Sequence, residues 1–340
     1  IKRDNTGIEW YATIFAFAES PLVEGVLWAG SDDGLVHISR DGGDSWQNVT
    51  PDGFPDFTLV SIIEPSSHDA GTAYIAANRY KLDDLTPYLF KTTDYGDSWT
   101  LITDGIAGDD FARVIREDPT RPGLLYAGTE TGLYLSFDDG GSWRRWQSNF
   151  PVVPVRDMVV KDDDLVLGTH GRSFWIFDDL AVIRQASAEI FDSPAHLFKP
   201  ENPVRFREGV SRSPLRNQSP PGAQGENPPN GAVVWYYLEE AGQTVTLTFR
   251  DDSGTEVATF TSIPDPDRVG TPRNPPPDPI AAEAGLNQFV WDLRYPGPLQ
   301  VPGAIYRRYD PIGPIAPPGQ YEVEINVGGY RATQTFEVLA

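Results

Sequence analysis

The chain has 340 residues, 39% of them hydrophobic and 12% aromatic, enough to bury a sizeable core and to form two domains. With 49 acidic against 27 basic residues its formal net charge is −22, which disfavours nucleic acid and anionic membrane surfaces as partners and favours neutral or cationic ones. The absence of cysteine excludes disulfides and thiolate metal sites, and no apolar run is long enough for membrane insertion as a helix.

From the first residues onward, short apolar runs alternate with Gly, Pro and Asp. "TIFAFAES" and "GVLWAGSDDGLVHI" precede "SRDGGDSW"; "TLVSIIEPS" and "TAYIAANRYKLDDLTPYLFKT" precede "TTDYGDSW"; "ARVIREDPT" and "LLYAGTETGLYLS" precede "SFDDGGSW". Their β-branched and aromatic enrichment predicts strands in antiparallel hairpins. The third residues of the repeated phrases, Asp41, Asp94 and Asp138, lie 53 and 44 residues apart, the spacing of propeller blades. A fourth unit, "VRDMVVKDDDLVLGTHGRSFWIFDD", has the same strands without the phrase. Four blades are therefore expected over residues 1–184.

The phrase itself is turn chemistry. In Ser/Thr-x-Asp-x-Gly-x-Ser-Trp, the carboxylate can accept backbone N–H groups, the glycine can take a positive φ, and the tryptophan opens the next strand. Asp41, Asp94 and Asp138 are thus expected to be structural, as catalytic carboxylates on three separate blades would not meet at one site. Trp46, Trp99 and Trp143 are expected to pack between blades.

Periodicity fades over residues 185–231, where "SRSPLRNQSPPGAQGENPPNG" suggests a proline-rich linker. From residue 232 to 340 alternating runs return, including Val245, Leu247 and Phe249 and then Tyr321, Val323, Ile325 and Val327. Six or seven such strands predict an immunoglobulin-like β-sandwich. The expected fold is all-β, a partial four-bladed propeller followed by that sandwich.

The phrases resemble the Asp-box, or BNR, repeat of sialidases, xyloglucanases and sortilin-type propellers. With "AANRYKLDDLTPYLFKTTDYGDSW", "GTHGRSFWIFDD" and "NPPNGAVVWYYL" the likeness extends to large bacterial sortilin-like proteins often labelled glycosyl hydrolase. The resemblance implies an exported protein, extracellular or periplasmic, of which this chain is a piece. It also implies that missing blades come from an upstream segment or another chain, and that a glycan or peptide is bound.

In propeller geometry, loops between second and third strands share a face with the entries to first strands. The former contribute Asp32, Asp33, Arg79, Tyr80, Lys81, Asp83, Asp84, Glu130, His170 and Arg172, and the latter Asp110, Arg113, Arg156 and Asp157. The binding candidates are Arg79, Tyr80, Arg113, Arg156, His170 and Arg172. For glycoside hydrolysis, Asp83 or Asp84 with Asp110 or Asp157 is the candidate acid–base pair. A sialidase would use arginines and a tyrosine, but the Arg-Ile-Pro opening of that family is absent. His170 is expected to hydrogen-bond neighbouring backbone, and Arg172 to pair with Asp157. No His-Glu-x-x-His spacing, nucleotide loop or Gly-x-Ser-x-Gly elbow occurs, so neither a transition metal nor a cofactor is expected. The acidic "KDDDL" at 161–165 can attract calcium but reads better as a tight turn. Two functions follow: a binding or interaction module, or a glycoside hydrolase with its cleft on the same face.

Overall fold

The computed structural model describes residues 12–205, 228–264, 278–298 and 312–340. They form two compact units divided between Leu180 and Ala181. The first unit holds β1 (Ile14–Glu19), β2 (Leu27–Ser31), β3 (Val36–Ser39) and β4 (Gln47–Asn48), then β5 (Leu59–Pro65), β6 (Ala73–Arg79), β7 (Asp84–Thr92) and β8 (Thr100–Leu101). There follow β9 (Ala112–Glu117), β10 (Leu125–Thr129), β11 (Leu133–Ser136) and β12 (Arg144–Arg145), and finally β13 (Val155–Lys161), β14 (Asp164–Thr169) and β15 (Phe174–Phe177). Each group is an antiparallel meander in chain order, of four strands in the first three sheets and three in the fourth. The first strands β1, β5, β9 and β13 pack side by side in that order, while β13 and β1 share no comparable contact. The sheets are thus consecutive blades, one to four, of an open propeller-type array.

Burial on both faces explains why interior blades read as continuous apolar runs rather than strict alternation: all five residues of β10, Leu-Tyr-Ala-Gly-Thr, are buried. Between blades one and two the core is built from Trp28, Val36, Ile38, Val60, Ile63 and Ile75. Between blades two and three it comes from Tyr74, Leu89, Ile102, Ile115, Ala127 and Trp143.

The repeated phrase joins the third and fourth strands of the first three blades by one constant network. Ser39 Oγ takes the Gly43 N–H (2.8 Å) and donates to Asp41 Oδ1 (2.8 Å), which also accepts the Ser45 N–H (2.9 Å), while Asp41 Oδ2 accepts Ser45 Oγ–H (2.6 Å). Thr92, Asp94, Gly96 and Ser98 repeat the pattern, as do Ser136, Asp138, Gly140 and Ser142. Gly96 and Gly140 stand at φ 88° and 87°, where a side chain would be strained and would also collide with Val49 or Ile102 of the preceding blade. The three tryptophans diverge: Trp143 is 3% exposed, Trp99 is half-buried, and Trp46 is 42% exposed, so the expectation of a packed tryptophan does not extend to blade one.

The second unit holds α1 (Ala181–Gln185), α2 (Ala188–Phe191), β16 (Ala195–Leu197), β17 (Ala232–Leu238), β18 (Val245–Asp251), β19 (Glu256–Thr261), β20 (Gly285–Trp291), β21 (Gly319–Val327) and β22 (Tyr330–Val338). Two antiparallel sheets, ordered β16-β17-β20 and β19-β18-β21-β22, enclose one core around Phe249, whose ring centroid lies 4.7 Å from that of Trp291. Here the alternation is clean: β17 buries Ala232, Val234, Tyr236 and Leu238 and leaves the residues between them half-buried.

The expected linker over 185–231 needs correction at its start. Ala195 and Leu197 are buried in the core, and β16 pairs with β17. Three residues show barely one period of alternation, too little to register against the surrounding prolines. Positions 206–227 of that stretch lie outside the described residues, as do 265–277 of the later proline-rich insert. No described helix is long and apolar enough to cross a membrane.

Candidate functional site

Each first strand carries an irregularity near its start, at the second residue in β1, β9 and β13 and at the third in β5. The pairing with the second strand skips Phe15 in β1, Ser61 in β5, Arg113 in β9 and Arg156 in β13. A β-bulge leaves the extra residue outside the ladder and re-aims its side chain, so one side chain per blade is displaced at the strand entry. Two candidate arginines, Arg113 and Arg156, are bulge residues. The four positions carry Phe, Ser, Arg and Arg, so residue type did not reveal the repeated position.

Loops between second and third strands do meet the first-strand entries. Asp32 N–H donates to Thr13 O (3.1 Å), Glu130 N–H to Phe111 O (3.1 Å) and His170 N–H to Pro154 O (3.0 Å). In blade two this loop is a single 3-10 turn, Tyr80–Leu82, closed by Asp83 at φ 59°. The Tyr80 ring stacks on Phe111 with centroids 5.0 Å apart and planes at 12°, and the Arg113 guanidinium lies 5.1 Å from the Tyr80 centroid and 4.6 Å from that of Phe111. Arg113 is 6% exposed and binds Glu130 through Nε (2.6 Å), so its charge is neutralised within this aromatic stack.

Three of the four candidate carboxylates are held by partners of their own. Asp84 Oδ2 accepts Arg79 Nη1–H and Tyr88 Oη–H, both at 2.8 Å, and Oδ1 accepts the Thr86 N–H at 3.1 Å. Burial alone would raise the Asp84 carboxyl, but the hydrogen bonds from Thr86, Tyr88 and Arg79 outweigh it and hold the pKa at about 2. A group so acidic stays ionised and makes a poor proton donor. Asp110 is 3% exposed and accepts from Thr131 N–H (3.0 Å), Thr131 Oγ1–H (2.6 Å), Thr129 Oγ1–H (2.9 Å) and Tyr134 Oη–H (3.1 Å), which ties the loop of blade three to its strands. Asp83 is exposed.

Asp157 pairs with Arg116, not with Arg172 as its position in the same blade suggested. Arg116 on β9 reaches Glu64 on β5 through Nη1, Asp157 on β13 through Nη2 and the Met158 carbonyl through Nε, all at 2.8 Å. One guanidinium thus stitches three first strands, a role that no local pattern around Arg116 announces. Burial pushes the Glu64 carboxyl up, against the opposing charge of Arg116. Arg156, His170 and Arg172 are exposed and, with Lys81 of blade two, have no ion-pair partner among the described residues. The bond expected of the His170 ring is made by its backbone N–H instead. Asp162 and Asp163 form the two-residue turn joining β13 to β14, Asp162 standing at φ 53° and pairing with Lys161. Among the described residues, no group of three or more His, Asp or Glu side chains is placed to hold a metal ion.

No protein-family model and no curated protein matches the chain. Solved structures similar to it include YCF48 bound to a D1 peptide, at 20% identity and a TM-score of 0.38, covering 49% of this chain and 52% of that one. The GH74 xyloglucanase from Xanthomonas campestris is similar at 13% identity and a TM-score of 0.40, covering 94% and 45%. The extracellular domain of the putative hybrid two-component system BT3049 from B. thetaiotaomicron is similar at 13% identity and a TM-score of 0.37, covering 96% and 38%. The chain spans about half the length of the first and less of the other two.

Proposed function

We propose that this chain is a binding or interaction module of the sortilin-like, Asp-box type, acting outside the cytoplasm, with its second unit an immunoglobulin-like accessory sandwich. The observation that carries the reading is the state of the charges on the face of the first-strand bulges. Asp84, Asp110 and Glu130 are committed to internal partners, whereas the side chains of Lys81, Arg156, His170 and Arg172 make no ion pair among the described residues. On a chain of net charge −22, basic side chains without ion pairs on a face that also exposes Asp83 suit a ligand with an acidic group, a peptide carboxylate or a uronic or sialic acid. Tyr80, half-buried on the Phe111 stack, supplies an aromatic edge beside it.

Peptide and glycan arrays probed with the wild type and with Arg156→Ala/Arg172→Ala test this reading. We expect the double variant to lose about tenfold or more in affinity for acidic ligands at unchanged melting temperature, with binding that weakens as salt rises. Equal binding by both proteins, or no binding to either array, refutes it. A hydrolase is the second reading, and Glu64 favours it as a carboxyl raised by burial with Asp157 across Arg116. Glycan turnover abolished in Glu64→Gln and retained in Arg156→Ala/Arg172→Ala would install that reading in place of binding.

A further inference from the structure

The repeated phrase joins the third strand of a blade to its fourth, at the strand ends opposite those that carry the bulges. The residue after its aspartate is Gly42, Tyr95 or Asp139, at φ 73°, 61° and 60°, and each donates its N–H to a glycine carbonyl of its own blade, Gly25, Gly71 or Gly123. In blade two that side chain reaches back to the preceding blade. Tyr95 packs on the apolar core between blades one and two, with the Arg40 guanidinium 4.4 Å from its ring centroid. At the next junction Asp139 stands in place of the ring, and Thr93 stands where Arg40 does in the phrase. Lys91, immediately before the phrase, occupies the place of Ile38 in blade one and Leu135 in blade three, both buried.

Three exchanges in register thus replace an apolar filling with polar side chains around a cleft of about 330 Å³, whose lining includes Lys91, Thr93, Thr100, Ile102 and Asp139. Asp139 Oδ2 pairs with Lys91 Nζ, and its Oδ1 accepts Tyr74 Oη–H at 2.7 Å. Burial pushes the Tyr74 phenol up, so it remains the donor. The charges of Lys91 and Asp139 cancel, and Asp138 beside them is held by Ser136 and Ser142 of its own turn. An ammonium with N–H groups to spare therefore lies next to a carboxylate with lone pairs to spare, below the exposed hydroxyls of Thr93 and Thr100. An anion here would meet Asp139 as well as Lys91, and a cation would compete with Lys91 for Asp139. A neutral ligand carrying a donor and an acceptor on adjacent atoms satisfies both groups at once.

We propose that this cleft is a saccharide subsite, in which neighbouring hydroxyls of one pyranose ring donate to Asp139 and accept from Lys91, with Thr93 and Thr100 at the rim and Ile102 as the apolar wall. Its volume lies at the low end of the roughly 300–1,000 Å³ of small-molecule sites, which suits a single ring better than an extended chain. The subsite is built from blades two and three alone and is separate from the basic side chains proposed to take acidic ligands. The first junction serves as its internal control, because there Tyr95 and Arg40 occupy the corresponding place.

Saturation-transfer NMR titrations test the proposal with D-glucose, D-galactose, D-mannose, D-xylose, L-fucose and N-acetyl-D-glucosamine, each as the free sugar and as its methyl glycoside. The chain is expected to bind at least one of them saturably, with a Kd of about 1–10 mM. Binding of the free sugar alone assigns the subsite to a free saccharide, and binding of its methyl glycoside as well assigns it to the end of a glycan. Lys91→Ile/Thr93→Arg/Asp139→Tyr, which copies the first junction into the second, is expected to weaken binding about tenfold or more at an undiminished melting temperature. Asp139→Asn keeps the shape and a residue that tolerates the positive φ, and is expected to weaken binding about fivefold or more even where the triple variant is less stable. No saturable binding to any probe overturns the proposal. Binding that survives both variants, or that is lost instead in Arg156→Ala/Arg172→Ala, places the sugar elsewhere and overturns it as well.

Discussion

Blades three and four meet their upstream neighbours with different aromatics. Blade three uses the tryptophan that ends its turn: Trp143 is buried and hydrogen-bonded to Ile102 O. Blade four has no such turn; where the other blades place Ser39, Thr92 or Ser136 at the end of the third strand it has Phe177, and that ring fills the slot over Trp146. The two solutions share only a large apolar ring laid over the end of the previous fourth strand. The repeated phrase is therefore a means of delivering that ring, and the slot, not the phrase, is what the array requires.

Substitutions at the two junctions separate delivery from packing. Trp143→Ala, which empties a fully enclosed slot and strands the Ile102 carbonyl, is expected to cost about 3–5 kcal/mol in urea unfolding monitored for the first unit. Asp110→Ala leaves four donors, two of them buried, short of an acceptor and should cost about 2–4 kcal/mol by the same measurement. Phe177→Ala acts on a half-buried ring and should cost about 1–3 kcal/mol, with Phe177→Trp close to neutral if the slot tolerates the tryptophan used elsewhere. A larger loss for Phe177→Ala than for Trp143→Ala would invert the ranking and make the open-ended junction the stronger one.

The pH dependence carries a definite sign. Hydrogen bonding from Ser45 lowers Asp41, and hydrogen bonding to Asp84 overcomes its burial, each to about 2 from an ordinary 3.8. A depressed folded-state value means a stabilising contribution that is complete above pH 3.8 and is lost as pH falls through 2. Burial moves Glu64 the other way, so its contribution is complete below its ordinary value of 4.5 and declines as pH rises through the raised one. Thermal melts from pH 5 to 2 should show an acid loss that is reduced in Asp84→Asn and not reduced in Glu64→Gln.

What the sequence disclosed was local and periodic. The Asp41, Asp94 and Asp138 networks close within five residues of each aspartate, so turn chemistry alone located them. The strands of both units showed because alternation or dense β-branched runs extend over several residues. The functional face was legible only in outline, since loop and entry positions follow from blade topology while their partners do not. Arg116 finds Asp157 across 41 positions and Glu64 across 52, and β16 owes its place to β17, some 40 residues later. The bulges that displace Arg113 and Arg156 were written as a repeat of irregularity, visible only once the strand register is known.

Trp46 and Trp143 give the sharpest contrast, because the same Ser-x-Asp-x-Gly-x-Ser-Trp pattern ends in both. In the isolated chain Trp46 donates weakly to its own turn and is 42% exposed, so Trp46→Ala removes little packing and is expected to shift stability by no more than about 0.5 kcal/mol. Paired urea melts of Trp46→Ala and Trp143→Ala therefore measure what a neighbouring blade adds to an identical motif. A small loss for the first beside a large one for the second locates the energy in the junction. Comparable losses would mean that the tryptophan stabilises its own turn wherever it stands, and the inter-blade slot would then be a consequence of the turn and not its purpose.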